Sequence, residues 1–519
     1  MPNEIDNSSY GILPINSKVE IERIDSKYKG NLILQVRVRN TTNKPIKINS
    51  FVVAEFVLKN GVEKVLEHGW LQCSEVRFKT LDEKTVENKY FLQRDQNHYS
   101  FKKEYGYVDD SIISEWFTLI KMKGKDLFIG AVTTANQFSQ IYVKKEEKGI
   151  RIKVTCQYDG LTLKPGQVVY SEKIYFGSSQ EQEKIKKEFA ECLASEMHVK
   201  KVAPVIRAMC NSYYWNENKV NDDLINKEID ALENLPGHIN LDYFQIDAGY
   251  TKYFGDWLDY KERFPNGFSS IIQRIKKLGY KPGIWLSPFA INPGTHLHDY
   301  HSSWFLKGVD HGHFDGRLTS PFDSLANIVD LEVMDPTNQK VLEYVKQVLL
   351  HYKNLGFELF KIDFIYPLCL ASNYSKPVTR AQAIRQAIVF IKNVLGPKCK
   401  ILSGITQLSP MVGVVDYVRT GIDSLNPFVC GIPGVNTLVN DYMLKDNIEE
   451  SRERMFLNGV VWRADPDVVV FRNGTGIDED LIEEHKKFIK ENNMSLWIGD
   501  SIYNMDEPTK NKMIKFFNG

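Results

Sequence analysis

Cysteine is scarce. Seven are scattered over 519 residues, at positions 73, 156, 192, 210, 369, 399 and 430, with no C-x-x-C pair and no zinc-like spacing. An odd, dispersed set does not build a disulfide framework and fits the reduced thiols of a cytoplasmic protein. Net charge is also absent. Sixty-six basic side chains balance 66 acidic ones, so no overall field favours nucleic acid or an anionic membrane as a partner. No run is long and apolar enough to span a bilayer. The start, Met1-Pro-Asn-Glu-Ile-Asp6, is acidic and has no apolar core, so no signal peptide is expected. Gly-rich phosphate loops, H-E-x-x-H and Cys/His ligand motifs are all missing.

What remains is a soluble, multi-domain composition, 43% hydrophobic and 25% charged. From about Tyr10 to Tyr175 the signals are β. Leu32–Arg39 and Ile150–Thr155 alternate apolar and polar residues, and turn pairs such as Asn60-Gly61, Asp159-Gly160 and Pro165-Gly166 separate further short runs. This predicts a β-sandwich over residues 1–180. Residues 181–200 read as a polar helical linker. From 201 to 519 the pattern repeats strand, loop, helix, with apolar strands beginning near 205, 243, 282, 359, 400, 415, 468 and 495. Helices are expected over 221–233, 268–278, 337–355, 380–395, 446–458 and 479–490. The fold class is α/β. Alternation predicts a parallel sheet, and the count of eight strands predicts a closed (β/α)8 TIM barrel.

The chemistry gathers at strand ends. Glu358-Leu-Phe-Lys-Ile-Asp-Phe-Ile-Tyr366 sets one ammonium, Lys361, and one carboxylate, Asp363, into an apolar run. Residues i and i+2 of a strand share a side. The two charges read either as a buried ion pair or as catalytic groups at the C-terminal end of a barrel strand. Other strands end in Tyr213 and Tyr214, Asp247, Trp285, Arg419 and Asp423, and Asp465 and Asp467. Singly, each has a structural explanation: Trp285 as core, Asp465-Pro-Asp467 as a turn cap, Arg419 as a partner for a helix C-terminus. Together they converge on one mouth. Carboxylates, cations and aromatic planes there suit glycoside hydrolysis, in which two carboxylates flank the bond. His296, His298, His301, His311 and His313 cluster after the third strand, but the Gly, Asp and Ser among them suggest a rim. No metal and no cofactor are expected.

At these residues the chain resembles the α-galactosidases of glycoside hydrolase family 36. Phe360-Lys-Ile-Asp-Phe364 is similar to the family's nucleophile strand. Ile401-Leu-Ser-Gly404 through Asp416-Tyr-Val-Arg-Thr-Gly-Ile-Asp423 is similar to the segment carrying its acid/base. Phe244-Gln-Ile-Asp247, Gly255-Asp-Trp-Leu258, Pro282-Gly-Ile-Trp285 and Asp465-Pro-Asp467 match in the same order, and His68-Gly-Trp70 resembles a motif of the β domain. The resemblance implies a retaining α-glycosidase with Asp363 as nucleophile and Asp423 as acid/base. It assigns sugar binding to Asp247, Lys361, Arg419, Trp285 and one of Tyr213 or Tyr214, with Asp465 and Asp467 beside them. The implied partner is an oligosaccharide or other α-glycoside, and such proteins often form homo-oligomers.

The sequence departs from the family in places. Ala248 stands where a second carboxylate reads galactose hydroxyls, Tyr213 where a Trp is usual, and Gly404-Ile405 where a Cys-Gly pair is usual. The chain stops at Phe517-Asn-Gly519, so the resemblance implies that the family's C-terminal β domain is either absent or cut away from this sequence. Ala248 keeps two alternatives open: a glycosidase or transglycosidase for another α-linked sugar, or a non-catalytic carbohydrate-binding protein on the same scaffold.

Overall fold

The computed structural model describes residues 19–59, 61–82, 111–212, 220–293, 295–306, 332–369, 373–425 and 435–519. Tyr213, Tyr214, His311, His313 and Cys430 lie outside the described residues. The chain divides into two compact units. The first is Met1–Lys201 with Lys376–Arg385 and Gln407–Gly413. The second is Val202–Ser375 with Gln386–Thr406 and Val414–Gly519.

The first unit holds two antiparallel sheets. The smaller runs Ile46–Leu58, Gly149–Leu163, Ser139–Glu146, Ser111–Glu115; the larger has eight strands, from Val19–Tyr28 at one edge to Val76–Lys79 at the other. Val19–Tyr28 and Asn31–Asn40 form a hairpin closed by Lys29 and Gly30, with φ of 49° and 85°. Positive φ at both central residues is what a tight turn needs to match strand twist. The first strand was not visible in the sequence because Glu20, Glu22, Arg23 and Asp25 sit among its apolar residues, as suits a half-exposed edge. Phe56 of the smaller sheet meets Phe176 of the larger at 6.2 Å between ring centroids.

Gln182–Glu196 is helical, but it is not a bare linker. It buries Ile185, Phe189, Ala190 and Leu193, and Phe189 packs on Phe128 at 4.6 Å. A Cβ at Gly130 would come within 2.7 Å of the Phe189 ring. Glycine there lets the helix lie close on the sheet.

In the second unit a parallel sheet runs Arg463–Asp465, Tyr417–Arg419, Lys400–Ser403, Leu359–Ile362, Lys281–Leu286, Tyr243–Ile246, Arg207–Cys210, Leu496–Ile498, Val468–Val469. The two outermost strands belong to one segment. Arg463–Asp465 pairs with Tyr417–Arg419, and Val468–Val469 pairs with Leu496–Ile498. Pro466, which has no N–H for a ladder, and Asp467, at φ 72°, interrupt the segment. Ser495 N–H also reaches back to the Ala464 carbonyl at 3.1 Å.

Helices separate most of these strands. Gln339–Leu355 buries Val341, Val345, Val348, Leu349 and Tyr352 on one stripe. Asn338 caps its start, and Gly356, at φ 108°, ends it. The helix expected over 446–458 instead spans Val435–Arg452, followed by a short 3₁₀ turn. Asn and β-branched residues near its start are weak helix formers, so tertiary packing decides this helix. Because the strands are parallel, their C-terminal ends, with Asp247, Trp285, Lys361, Asp363, Arg419 and Asp465, lie on one face.

Candidate active site

Asp363 follows the strand Leu359–Ile362, and its N–H still donates to the Leu286 carbonyl of the next strand at 2.9 Å. Phe364 then enters left-handed space at φ 48°. For a bulky side chain that conformation costs on the order of 1–3 kcal/mol, and such strain concentrates at functional sites. The turn brings the Phe364 N–H onto Asp363 Oδ1 at 2.8 Å, where Ile405 N–H joins it at 2.6 Å. Trp285 Nε1 donates to Oδ2 at 3.1 Å. Three donors from three strand ends thus fix one carboxylate, itself 8% exposed.

Gly404 makes the arrangement sterically feasible. A Cβ at 404 would overlap the Asp363 carboxyl group. The resemblance puts a Cys side chain at this position, and with the Asp363 carboxyl where it lies there is no room for one.

Lys361 does not bond to Asp363 as its immediate partner. Its Nζ lies 3.2 Å from Asp247 Oδ2, and both side chains are nearly buried. Burial opposes the ammonium, yet Asp247, and more weakly Asp363, hold its pKa above the ordinary lysine value. Asp247 also accepts from Gln245 Nε2 at 2.8 Å and from Ala248 N–H at 2.9 Å, while its own N–H donates to Asn211 Oδ1 at 3.0 Å. Gln245 is two residues before Asp247 on the same strand, so period-two spacing could have marked it. Asn211 gave no comparable signal.

Across the pocket, Arg419 binds three carboxylates: Asp423 Oδ1 at 2.8 Å, Asp467 Oδ1 at 2.6 Å and Asp465 Oδ2 at 3.2 Å. Asp467 lines the pocket. Asp465 stands behind it, almost wholly buried, and also accepts the Asp467 N–H at 2.9 Å. The loop bearing Asp423 is docked on the helix Val435–Arg452. Glu450 accepts Ile422 N–H at 2.9 Å, and Asn447 donates to the Ile422 carbonyl. Sequence reading missed both anchors, because nothing local says which carbonyl a helix side chain will meet.

About half of the Asp423 side-chain surface is open to the pocket. Withdrawal from bulk water among the pocket walls nevertheless raises its pKa to about 6. Repulsion from Asp467 adds to this shift, and Arg419 and Lys361 oppose it. His485 lies buried near Asp467, and burial lowers its pKa to about 4.

Asp247, Ala248, Trp285, Lys361, Asp363, Arg419, Asp423 and Asp467 line one cavity of about 120 Å³. At the ~10–15 Å³ a water needs, it holds roughly ten waters, the scale of one sugar ring. Ser212, Phe364, Gly404, Ile405, Leu425, Val468 and Arg472 complete the wall. Arg472, also missed, is held by Asp500. Among the described residues no group of three or more His, Cys, Asp or Glu is disposed to hold a metal ion, and no helix is long and apolar enough to cross a membrane.

A model of the melibiase family matches residues 168–361. An α-galactosidase of Escherichia coli is 33% identical over 86 residues, which is 15% of this chain and 12% of that protein. α-Galactosidase AgaA of Geobacillus stearothermophilus is 22% identical over 102 residues, 18% of this chain and 14% of that protein. The matched stretches are therefore a small part of these curated relatives. In three dimensions the likeness is far longer. The α-galactosidase TtGalA of Thermus thermophilus, solved with p-nitrophenyl α-D-galactopyranoside, superposes with a TM-score of 0.69 at 16% identity, covering 96% of this chain and 95% of that one. A family 36 AgaA variant from G. stearothermophilus, solved with 1-deoxygalactonojirimycin, gives a TM-score of 0.63 at 12% identity, over 96% of this chain and 67% of that one. In the sequence of residues 168–361 the chain is similar to the melibiase family, and over nearly its whole length it has the fold of α-galactosidases of glycoside hydrolase family 36.

Proposed function

We propose that this protein is a retaining α-glycoside hydrolase of the α-galactosidase type. Asp363 attacks the anomeric carbon while Asp423 donates a proton to the departing glycosidic oxygen. A covalent glycosyl ester on Asp363 results. Asp423, now a carboxylate, takes a proton from water, which attacks the same carbon and releases the sugar with its α configuration restored. The observation that carries this reading is the contrast between the two carboxylates in one pocket. Asp363 is fixed by three N–H donors, whereas Asp423 has its pKa raised to about 6. One suits a nucleophile and the other an acid that must also act as a base. Lys361, Arg419, Asp247, Asp467 and Trp285 bind the ring, and Asp465 steadies Arg419; the resemblance adds one of Tyr213 or Tyr214, which lie outside the described residues.

The closed (β/α)8 barrel is part of the proposal. It is supported by the seventh segment, Arg463–Val469, which supplies both outermost strands of the sheet. A β-sandwich for the first unit is supported by its two antiparallel sheets and the Phe56–Phe176 contact. A cytoplasmic location is supported by six buried, free cysteines among the described residues. The test of function is ¹H NMR of the first product of an aryl α-galactoside. An α anomer is expected, and a β anomer would reject the mechanism.

Above pH about 6 the acid form of Asp423 is depleted, so kcat/KM is expected to fall as pH rises through that value. Asp467→Asn removes the repulsion that helps to raise this pKa and should move the falling limb to lower pH. A limb that stays in place, or moves up, would contradict the assignment of Asp423.

Ala248 shapes specificity. It is 3% exposed on the pocket wall beside Asp247. Its methyl cannot accept a sugar hydroxyl, and each missing charge-assisted bond costs about 1.5–3 kcal/mol, roughly ten- to a hundredfold. Weak action on plain α-galactosides is therefore expected, and Ala248→Asp should raise it. A panel of aryl α-galactoside, α-glucoside, α-N-acetylgalactosaminide and β-L-arabinopyranoside reads out the preference. Wild-type turnover of the α-galactoside that Ala248→Asp leaves unchanged would refute the role of this position.

A further inference from the structure

A second concavity, of about 750 Å³, lies on the second unit away from the catalytic residues. One side is the exposed face of the helix Gln339–Leu355, where Lys340, Glu343, Tyr344 and Gln347 recur at helical spacing. The other side is the segment after the third strand, with His296, Tyr300, His301 and Trp304. The aromatic rings there are ordered as platforms. His301 and Trp304 stack at 4.0 Å with their planes 7° apart, and His296 and Tyr300 lie 6.3 Å apart at 16°. Tyr300 is 77% exposed, more than any other large apolar side chain among the described residues.

We infer that this groove is a second carbohydrate-binding site, taking a neutral oligosaccharide, an inference that rests on the glycosidase reading above for its ligand class. Pyranose rings present C–H faces that pack on aromatic planes, and their hydroxyls project sideways. The groove supplies rings for the first, and an ammonium, a carboxylate and an amide for the second. Lys340 and Glu343 carry opposite charges, so the groove does not select an anion. Its open shape fits an extended chain better than one enclosed ring. The groove is also joined to the catalytic pocket. Trp304 contacts Tyr344 at 6.0 Å, and Tyr344 Oη donates to the Gly255 carbonyl at 3.1 Å. The next residue back, Phe254, packs on Trp285 at 5.5 Å. A glycan held in the groove thus rests on residues continuous with those that position Asp363.

The test is calorimetric titration of the full chain with stachyose in an Asp363→Ala background, with and without Tyr300→Ala or Trp304→Ala. Affinity at one of two binding events should weaken about tenfold. In the otherwise wild-type enzyme, Tyr300→Ala should leave p-nitrophenyl α-galactoside hydrolysis unchanged and raise KM for stachyose, with kcat held. Isotherms unchanged in both variants overturn the proposal. So does a shift in oligomeric state by sedimentation without a change in sugar binding, which would make the groove an interface between copies of the chain. If the wild type hydrolyses no α-glycoside, the catalytic reading fails, while the titration still decides the groove.

Discussion

Asp363→Ala is expected to lower turnover of every α-glycoside by roughly four to six orders of magnitude, as removal of a covalent nucleophile does elsewhere. The structure adds a reason why no conservative change should rescue it. Phe364 N–H and Ile405 N–H both point at Oδ1, and Trp285 Nε1–H points at Oδ2. An asparagine could offer its one oxygen to the backbone pair, but its amide nitrogen would then face the indole N–H, donor against donor. Asp363→Asn should therefore be as inactive as the alanine variant. Azide separates the roles of the two carboxylates. In Asp363→Ala it can occupy the vacated space and attack from the nucleophile's face, giving a β-glycosyl azide. In Asp423→Ala it replaces water in the second step and gives an α-glycosyl azide, and aryl substrates with good leaving groups suffer least. Full activity in Asp363→Ala, or the two azides formed with the opposite configurations, would remove the central assignment.

The second large effect is expected from a single methyl group. In Gly404→Ala the new Cβ would overlap Cγ and both oxygens of Asp363. Something must yield, and the side chain can rotate more cheaply than three strand ends can move. Displacing the carboxylate by about 1 Å should cost on the order of a hundredfold in kcat. Overpacking should cost about 1–3 kcal/mol of stability, visible as a lowered Tm of a protein that still folds. Substrate binding should suffer less than turnover, because Lys361, Arg419 and Asp247 are not displaced. Wild-type kcat in Gly404→Ala would show that the carboxylate does not need the position it occupies.

Much of the molecule was legible in the chain because secondary structure is written in local periods. Strands at Lys400–Ser403 and Leu359–Ile362, and helices at Asp222–Glu233, Gln339–Leu355 and Arg380–Leu395, lie where apolar spacing placed them, to within two residues. Elements without that spacing were missed. Val19–Tyr28 is a half-exposed edge strand, and Val435–Arg452 starts among poor helix formers. The candidate site was legible as a set of residue types at strand ends, since parallel strands bring those ends to one face.

The partnerships within that set were not legible. Lys361 is two positions from Asp363, yet the lysine bonds to Asp247, 114 residues away. Arg419 gathers Asp423, Asp465 and Asp467 rather than a helix end. Gly404, which looks in sequence like a missing side chain, is in the fold the space that Asp363 occupies. Sequence by itself determined which segments are strands and helices, and which polar groups sit at their ends, because those depend on near neighbours along the chain. Which carboxylate meets which cation, where a Cβ is forbidden, and which acid has its pKa raised were decided only by tertiary structure. These depend on the register between strands, and on how much water the folded walls exclude.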